Sequence, residues 1–401
     1  MRLLVVQFTG DYRGVIRNPD RPGVETYHAQ KYLIESLRAI SQRFGDVTLL
    51  CCRTAEPYWE DVSDRFRVIG AGIDPYQDPE AIMTIMDEQR PTHVIIHTPV
   101  PALLKWAIRH RIPALALLAD SFHNQGLRRQ FNNYKFQRLL NHPQIEWIAN
   151  HGINACHSLA NIGVQRAKLI PWDWPYTNNP RDFQPKTLGP QASWNFVYVG
   201  AIQASKGVGD MIDAVAALQR RGQPCSVQVA GGGNLDFFVQ KARDLGVESQ
   251  VNFLGLVPHR QVLSLMRSAA AVLVPSWHEY GEGMPLTIYE SFCARTPVIA
   301  SDHPMFRGNV QHRVSGMMFS AGNGWALADC MAELMGNPAL YAQISHNTQA
   351  AWENLQLPVR WHDLVTHWVD PQGGAWLRAH RLESGIYESR SAVTPKVLLP
   401  I

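Results

Sequence analysis

The sequence predicts an α/β protein built as two doubly wound domains, and three observations carry that prediction. The chain is 401 residues long, about twice the size of a common single domain. Short apolar runs alternate with helical stripes, the pattern of a parallel sheet covered by helices on both faces. A proline-rich stretch, 171–190, interrupts that rhythm once, near the middle.

The first half supplies its elements in order. Leu3–Val6 is a fully apolar run of strand length. Residues 25–44 follow as a helix, with Ala29, Leu33, Leu37 and Ile40 on one stripe. Val47–Cys51, His93–His97, Ala114–Leu118, Trp147–Ala149 and Lys168–Ile170 read as further strands. The stretch 171–190 then holds Pro171, Pro175, Pro180, Pro185 and Pro190 and reads as a linker, because proline removes backbone donors and restricts its predecessor. The pattern restarts with strands at Asn195–Val199, Ser226–Ala230, Val251–Leu254, Ala271–Val274 and Pro297–Ala300, and a helix over Val208–Leu218. Near the end Trp352, Leu355, Trp361, Leu364 and Trp368 read as packing anchors of a helical stretch. The tail after Gly374 has little periodicity.

Composition narrows the functional classes. Hydrophobic residues make up 46% and charged residues 18%, an ordinary globular balance. The net charge is +3; residues 1–185 carry 21 basic and 18 acidic side chains, and the remainder 16 of each. Neither half has the charge of a nucleic-acid binder, so no nucleic-acid partner is expected. Six cysteines lie scattered with no CxxC pair, which reads as reduced, buried thiols and a cytoplasmic protein. No metal box is apparent, and no run approaches the ~20 apolar residues of a membrane span.

Five segments could carry chemistry. The first is 199–207, where Gly200 follows a strand and Lys206-Gly207 precedes a helix. Such a junction directs free N–H groups and the positive helix end at one place, and a lysine adds charge for an anion. The second is 275–290, with Glu282, Gly283, Met284, Pro285, Leu286 and Glu290. Pro285 suits a helix start, Gly283 permits close backbone approach, and two carboxylates can accept from two sets of hydroxyls. The third, Gly231-Gly232-Gly233, fits a tight turn beside a ligand or a plain turn equally well. The fourth is the loop 9–23, with Gly10, Asp11, Arg13 and Gly23, where α/β folds place ligand contacts. The fifth is 119–124, whose His123 could bind a hydroxyl or move a proton, or be structural. Beyond it, Arg128, Arg129 and Lys135 fit an anionic acceptor or a solvated face.

Taken together, residues 195–345 resemble the nucleotide-sugar-binding half of a retaining glycosyltransferase of family 4. The resemblance rests on 196–200 with Lys206-Gly207, on 251–258, and on 274–302, where Glu282 and Glu290 occupy the family's E-x7-E positions. It implies the GT-B fold, two doubly wound Rossmann-like domains facing across a cleft. The expected division is an acceptor domain over 1–180, a donor domain over 181–364, and a segment 365–401 that packs back on the first domain. It also implies roles. Lys206 and the amides of 283–286 would hold the donor diphosphate, with Gly200 in the same loop. Glu282 would contact the transferred sugar and Glu290 the ribose. Val257 and Pro258 would border the nucleobase. Gly23 would lie near the phosphates, and His123 would match the family's acceptor-domain histidine.

Three departures stand out. Ala201 replaces the family's arginine ahead of the motif lysine, with Arg13 as a candidate substitute. Arg295 replaces a glycine, and 303–306 (His-Pro-Met-Phe) replaces a glycine pair. The expected activity is metal-independent, retaining transfer of a sugar from a nucleotide-diphosphate donor to a hydroxyl of a glycan or lipid-linked acceptor. Catalysis would be mainly electrostatic, with Lys206, Glu282 and His123 as the working side chains, no protein nucleophile and no cofactor. A peripheral contact with the inner face of a membrane stays open, as does the oligomeric state. The alternatives are another GT-B enzyme, such as a nucleotide-sugar epimerase, and a non-catalytic sugar-nucleotide-binding subunit.

Overall fold

Strands form where the apolar runs are too short for a helix and rich in branched residues. The computed structural model describes residues 1–18, 29–189 and 194–387. Met1–Pro175 with Leu357–Glu388 form one compact unit, and Tyr176–Gln356 another.

The first unit is built on β1 (Arg2–Thr9), β2 (Asp46–Arg53), β3 (Tyr58–Ser63), β4 (Phe66–Gly70), β5 (His93–His97), β6 (Ala114–Leu118), β7 (Ile145–His151) and β8 (Leu169–Trp172). Their order is β3-β4-β2-β1-β5-β6-β7-β8. All neighbours pair parallel except β3, which runs antiparallel to β4 at the edge. The inner strands are buried on both faces, as helix-covered parallel strands must be. Leu4, Val6, Val94, Ile96, Leu103 and Trp106 belong to one core cluster. Each such side chain contributes about 1.5–3 kcal/mol by leaving water.

Residues 357–387 complete this unit. Asp173 N–H donates to Val359 C=O at 3.0 Å, and Asp173 bridges Arg360. Trp361 is fully buried, His362 N–H donates to Tyr32 Oη at 3.0 Å, and Trp368 Nε1 donates to Glu146 Oε2 at 2.9 Å. The packing role expected of Trp361, Leu364 and Trp368 holds. The single helical stretch does not: the helices are Pro338–Leu355 and Trp361–Val369, separated by residues 356–360, which include Pro358.

The second unit carries β9 (Trp194–Val199), β10 (Cys225–Ala230), β11 (Val251–Gly255), β12 (Val272–Val274), β13 (Val298–Ser301) and β14 (Gly316–Phe319). The order is β11-β10-β9-β12-β13-β14, parallel throughout. The helix Val208–Arg220 buries Met211, Ile212 and Val215 against this sheet.

Two expectations from the sequence need correction here. Pro171 lies inside β8 rather than in a linker, which the ladder tolerates because β8 is an edge strand. The loop expected over 9–23 contains a short helix, Arg13–Arg17; residues 19–28 lie outside the described residues. All six cysteines are buried free thiols, as expected.

Candidate functional site

The strand order of the second unit reverses between β9 and β12, so the loops that leave these two neighbours diverge and open a crevice. Both loops carry the residues singled out in the sequence. After β9, the turn Ala204–Lys206 ends at Gly207, whose φ is +73°. A Cβ on Gly207 would sit 2.1 Å from Pro275 O, so only glycine lets the β9 loop lie flush on the β12 loop. Trp277 N–H then donates to Ser205 C=O at 2.8 Å.

This contact sets Lys206 beside Glu282. Lys206 Nζ is 2.5 Å from Glu282 Oε1, with side chains only 15% and 7% exposed. Ser276 Oγ donates to the same oxygen at 2.7 Å, and Ser276 C=O accepts from Ser301 Oγ at 2.6 Å. The Tyr280 ring closes over the ammonium, 4.3 Å from centroid to Nζ. Two donors thus converge on Oε1, while Oε2 accepts from no side chain among the described residues.

Just downstream, Gly283, Met284 and Pro285 are buried, and Leu286 opens the helix Leu286–Cys293. The first intrahelical bond runs from Ile288 N–H to Pro285 C=O at 3.1 Å. The N–H groups of Leu286 and Thr287 precede it and add a positive helix end to the positive Lys206. Glu290 lies one turn further, with His259 Nε2 at 3.5 Å. Burial pushes the Glu290 carboxyl up to about 8. Val257 and Pro258 occupy the loop between β11 and the helix His259–Ser268.

Gly200 follows β9, and its N–H donates to Ala230 C=O at 3.0 Å. The glycine triplet is explained by close backbone pairing. A Cβ on Gly231 would meet Gly200 O at 1.8 Å, and one on Gly233 would meet Ile202 O at 2.2 Å. The side chain of Ala201 is exposed, and only its carbonyl is engaged, by Tyr198 Oη at 2.7 Å.

Sequence reasoning missed a second polar group here. His278 Nε2 lies 2.7 Å from Asp302 Oδ1, and Ala321 N–H donates to that oxygen at 3.0 Å. Burial raises the Asp302 carboxyl, but these donors outweigh it and leave it below its ordinary value. The pair joins residues 24 positions apart on two strand ends, and no local spacing signals it. The departures also find their reasons. Buried His303 accepts from Met305 N–H at Nδ1 (3.2 Å) and therefore donates from Nε2 to Tyr280 C=O (3.2 Å). That fixes the loop carrying the Tyr280 ring. Burial holds His303 below its ordinary value, consistent with this neutral tautomer. Arg295 has φ +56°, the conformation that explains a glycine at this place. Its guanidinium is held by Gln349 Oε1 at 2.7 Å and His346 C=O at 3.1 Å.

The remaining named residues lie in the first unit. His123 follows β6, half-buried, in contact with Arg129, and its C=O accepts from Asn133 Nδ2 at 2.9 Å. Arg13 pairs with Glu56 at 2.8 Å and stacks on Tyr58. Gly23 lies outside the described residues.

Two parallel-sheet Rossmann-like units define the GT-B class of protein. Solved structures of that class match along nearly the whole chain. HepE of Anabaena, solved in complex with UDP-glucose, has 15% identity and a TM-score of 0.64, over 94% of this chain and all of that one. WaaG, a glycosyltransferase involved in lipopolysaccharide biosynthesis, has 14% identity and a TM-score of 0.64, over 92% of this chain and all of that one. Residues 181–351 match the family described as Glycosyl transferases group 1. Among curated relatives, alpha-D-kanosaminyltransferase of Streptomyces kanamyceticus is 29% identical over 38% of this chain and 39% of its own length. Glycogen synthase of Mycobacterium tuberculosis is 27% identical over 52% of this chain and 47% of its own. The chain thus spans less than half the length of the curated relatives it matches.

Proposed function

We propose that the protein is a retaining glycosyltransferase. It takes a sugar from a nucleoside-diphosphate donor and places it on a hydroxyl of a glycan or lipid-linked acceptor. The observation that carries this reading is the Lys206–Glu282 pair beside the N-terminal turn of Leu286–Cys293, at the reversal point of the second sheet. A lysine and unpaired amides suit a diphosphate, and the unengaged Glu282 Oε2 suits a sugar hydroxyl.

The bond from the anomeric carbon to the diphosphate oxygen breaks, and the acceptor oxygen bonds to that carbon on the same face. The acceptor proton passes to the departing phosphate. Lys206 and the helix amides stabilise the charge that gathers on the leaving group, worth about 3–4 kcal/mol for one well-placed donor. His123 is assigned to the acceptor hydroxyl and Glu290 to the ribose. Gly200 and 283–286 let the backbone approach the phosphates, and Val257 and Pro258 border the base. Donor binding is supported by the UDP-glucose held by the similarly folded HepE.

Nucleotide release from a panel of nucleotide sugars, followed by NMR of the product anomer, tests the reading. Retained anomeric configuration on a new acceptor bond is expected. A second reading, a binding subunit without turnover, draws on the missing arginine at Ala201. It predicts nucleotide binding by calorimetry with release from no donor.

A further inference from the structure

The loop between β12 and the helix Leu286–Cys293 is tied to the loop after β13 by a histidine from each side. His278 of the first reaches Asp302 Oδ1 of the second at 2.7 Å. His303 of the second is fully buried and donates from Nε2 to Tyr280 C=O of the first at 3.2 Å. The same carbonyl accepts from Glu282 N–H at 2.9 Å, and Tyr280 N–H donates to Trp277 C=O at 3.1 Å. One imidazole therefore holds the turn from which both the Tyr280 ring and the Glu282 carboxylate project. These are the two groups that grip Lys206, at 4.3 Å from ring centroid to Nζ and 2.5 Å from Oε1 to Nζ.

The two grips differ in what they leave to a ligand. An ammonium has three N–H donors and no acceptor. Glu282 takes one donor and carries negative charge, so it competes with an anion for the lysine. The ring has no net charge; it attracts the cation through its quadrupole and keeps that attraction when an anion arrives. A lysine left loose has rotamer freedom that an anion must remove on binding. Holding Nζ against the ring removes that freedom in advance.

We infer that Tyr280 and His303 are positioning residues of the anion site: the ring sets the Lys206 ammonium for a diphosphate, and the imidazole sets the ring. The inference rests on the proposed reading that Lys206 meets the donor diphosphate. It adds two side chains that act through Lys206 rather than on the substrate.

Inorganic pyrophosphate, which carries neither base nor sugar, is titrated into the full-length protein by calorimetry. Tyr280→Leu should bind it about tenfold more weakly, and Tyr280→Phe, which keeps the ring, should stay within about twofold of wild type. His303→Asn, too short to reach Tyr280 C=O, should lose about fivefold, and His303→Gln, whose amide can donate from near the Nε2 position, should regain most of it. Ammonium 1H–15N spectra read the geometry without any ligand. The Lys206 signal, assigned by its absence in Lys206→Met, should lie upfield in wild type and Tyr280→Phe, because the ring face shields it. It should move downfield in Tyr280→Leu and His303→Asn. If Tyr280→Leu does not fold, the His303 pair and the spectra decide. Wild-type affinity in Tyr280→Leu overturns the inference and leaves the proposed function standing. Equal losses in Tyr280→Leu and Tyr280→Phe overturn it too, since they assign the effect to the hydroxyl. Lys206→Met that binds pyrophosphate like the wild type removes the proposed reading, and the inference with it.

Discussion

Lys206 and Glu282 are 76 residues apart in sequence and 2.5 Å apart in space, bound to one another in a crevice that suits an anion. In the proposed transfer a diphosphate would compete with Glu282 Oε1 for the ammonium, leaving Ser276 as that oxygen's remaining donor.

That coupling gives the first prediction. Lys206→Ala leaves a buried carboxylate with only Ser276 as partner and is expected to cost about 2–3 kcal/mol of stability. Glu282→Ala removes the acid and costs less. The double variant should be more stable than Lys206→Ala, a non-additivity that thermal unfolding reads. Each single variant should lower nucleotide release by about 100-fold or more while the protein stays folded. Wild-type turnover in both would remove Lys206 and Glu282 from the working site.

Gly207→Ala should be among the most damaging small changes in the second unit. The new methyl would meet Pro275 O, which is backbone, at a residue whose φ is +73°. A loss of about 2–4 kcal/mol is expected, with donor binding lost alongside. Gly246→Ala is the control: φ is +66° but nothing lies near the added carbon, so about 1 kcal/mol is expected. Equal midpoints in urea for the two variants would contradict the account.

Glu290 predicts a pH dependence. Its folded value, about 8, stands above the ordinary 4.5, so the folded state holds a proton that the unfolded chain has released between those values. Stability contributed at this site therefore falls as pH rises through that window, by at most about 1.4 kcal/mol per pH unit, and is level above it. Glu290→Gln should flatten that decline, so its Tm gains on the wild type from pH 5 to pH 8. A constant difference between the two curves would refute it.

Ala201→Arg tests the departure from the family. The Ala201 side chain is exposed and its engaged atom is backbone, so a larger side chain needs no repacking. The added guanidinium should tighten nucleoside-diphosphate binding about tenfold in calorimetry. Unchanged or weaker binding would mean that position 201 does not face the phosphates.

The sequence displayed most of the sheet because most inner strands contain short apolar runs, such as Leu3–Val6 and Ala114–Leu118. β3 was not legible, since Tyr58–Ser63 alternates half-buried and exposed positions with two acids, as an edge strand may. β14 is four residues long and opens on glycine, too little pattern to register. Lys206 and Glu282 sit in strand-to-helix loops and Glu290 one turn into the helix that follows, so local spacing alone singles them out as candidates. His278–Asp302 and Trp277–Asp210 were not legible, since strand order alone brings each pair together.

Residues 357–387 belong to the first unit, while 176–356 form the second without interruption. Synthesis from the N-terminus therefore delivers the two units in a different order from their numbering. The second can close as soon as Gln356 is free. The first cannot form its contacts from Tyr32, Glu146 and Asp173 to His362, Trp368 and Arg360 until those residues have left the ribosome. The unit made first is finished last.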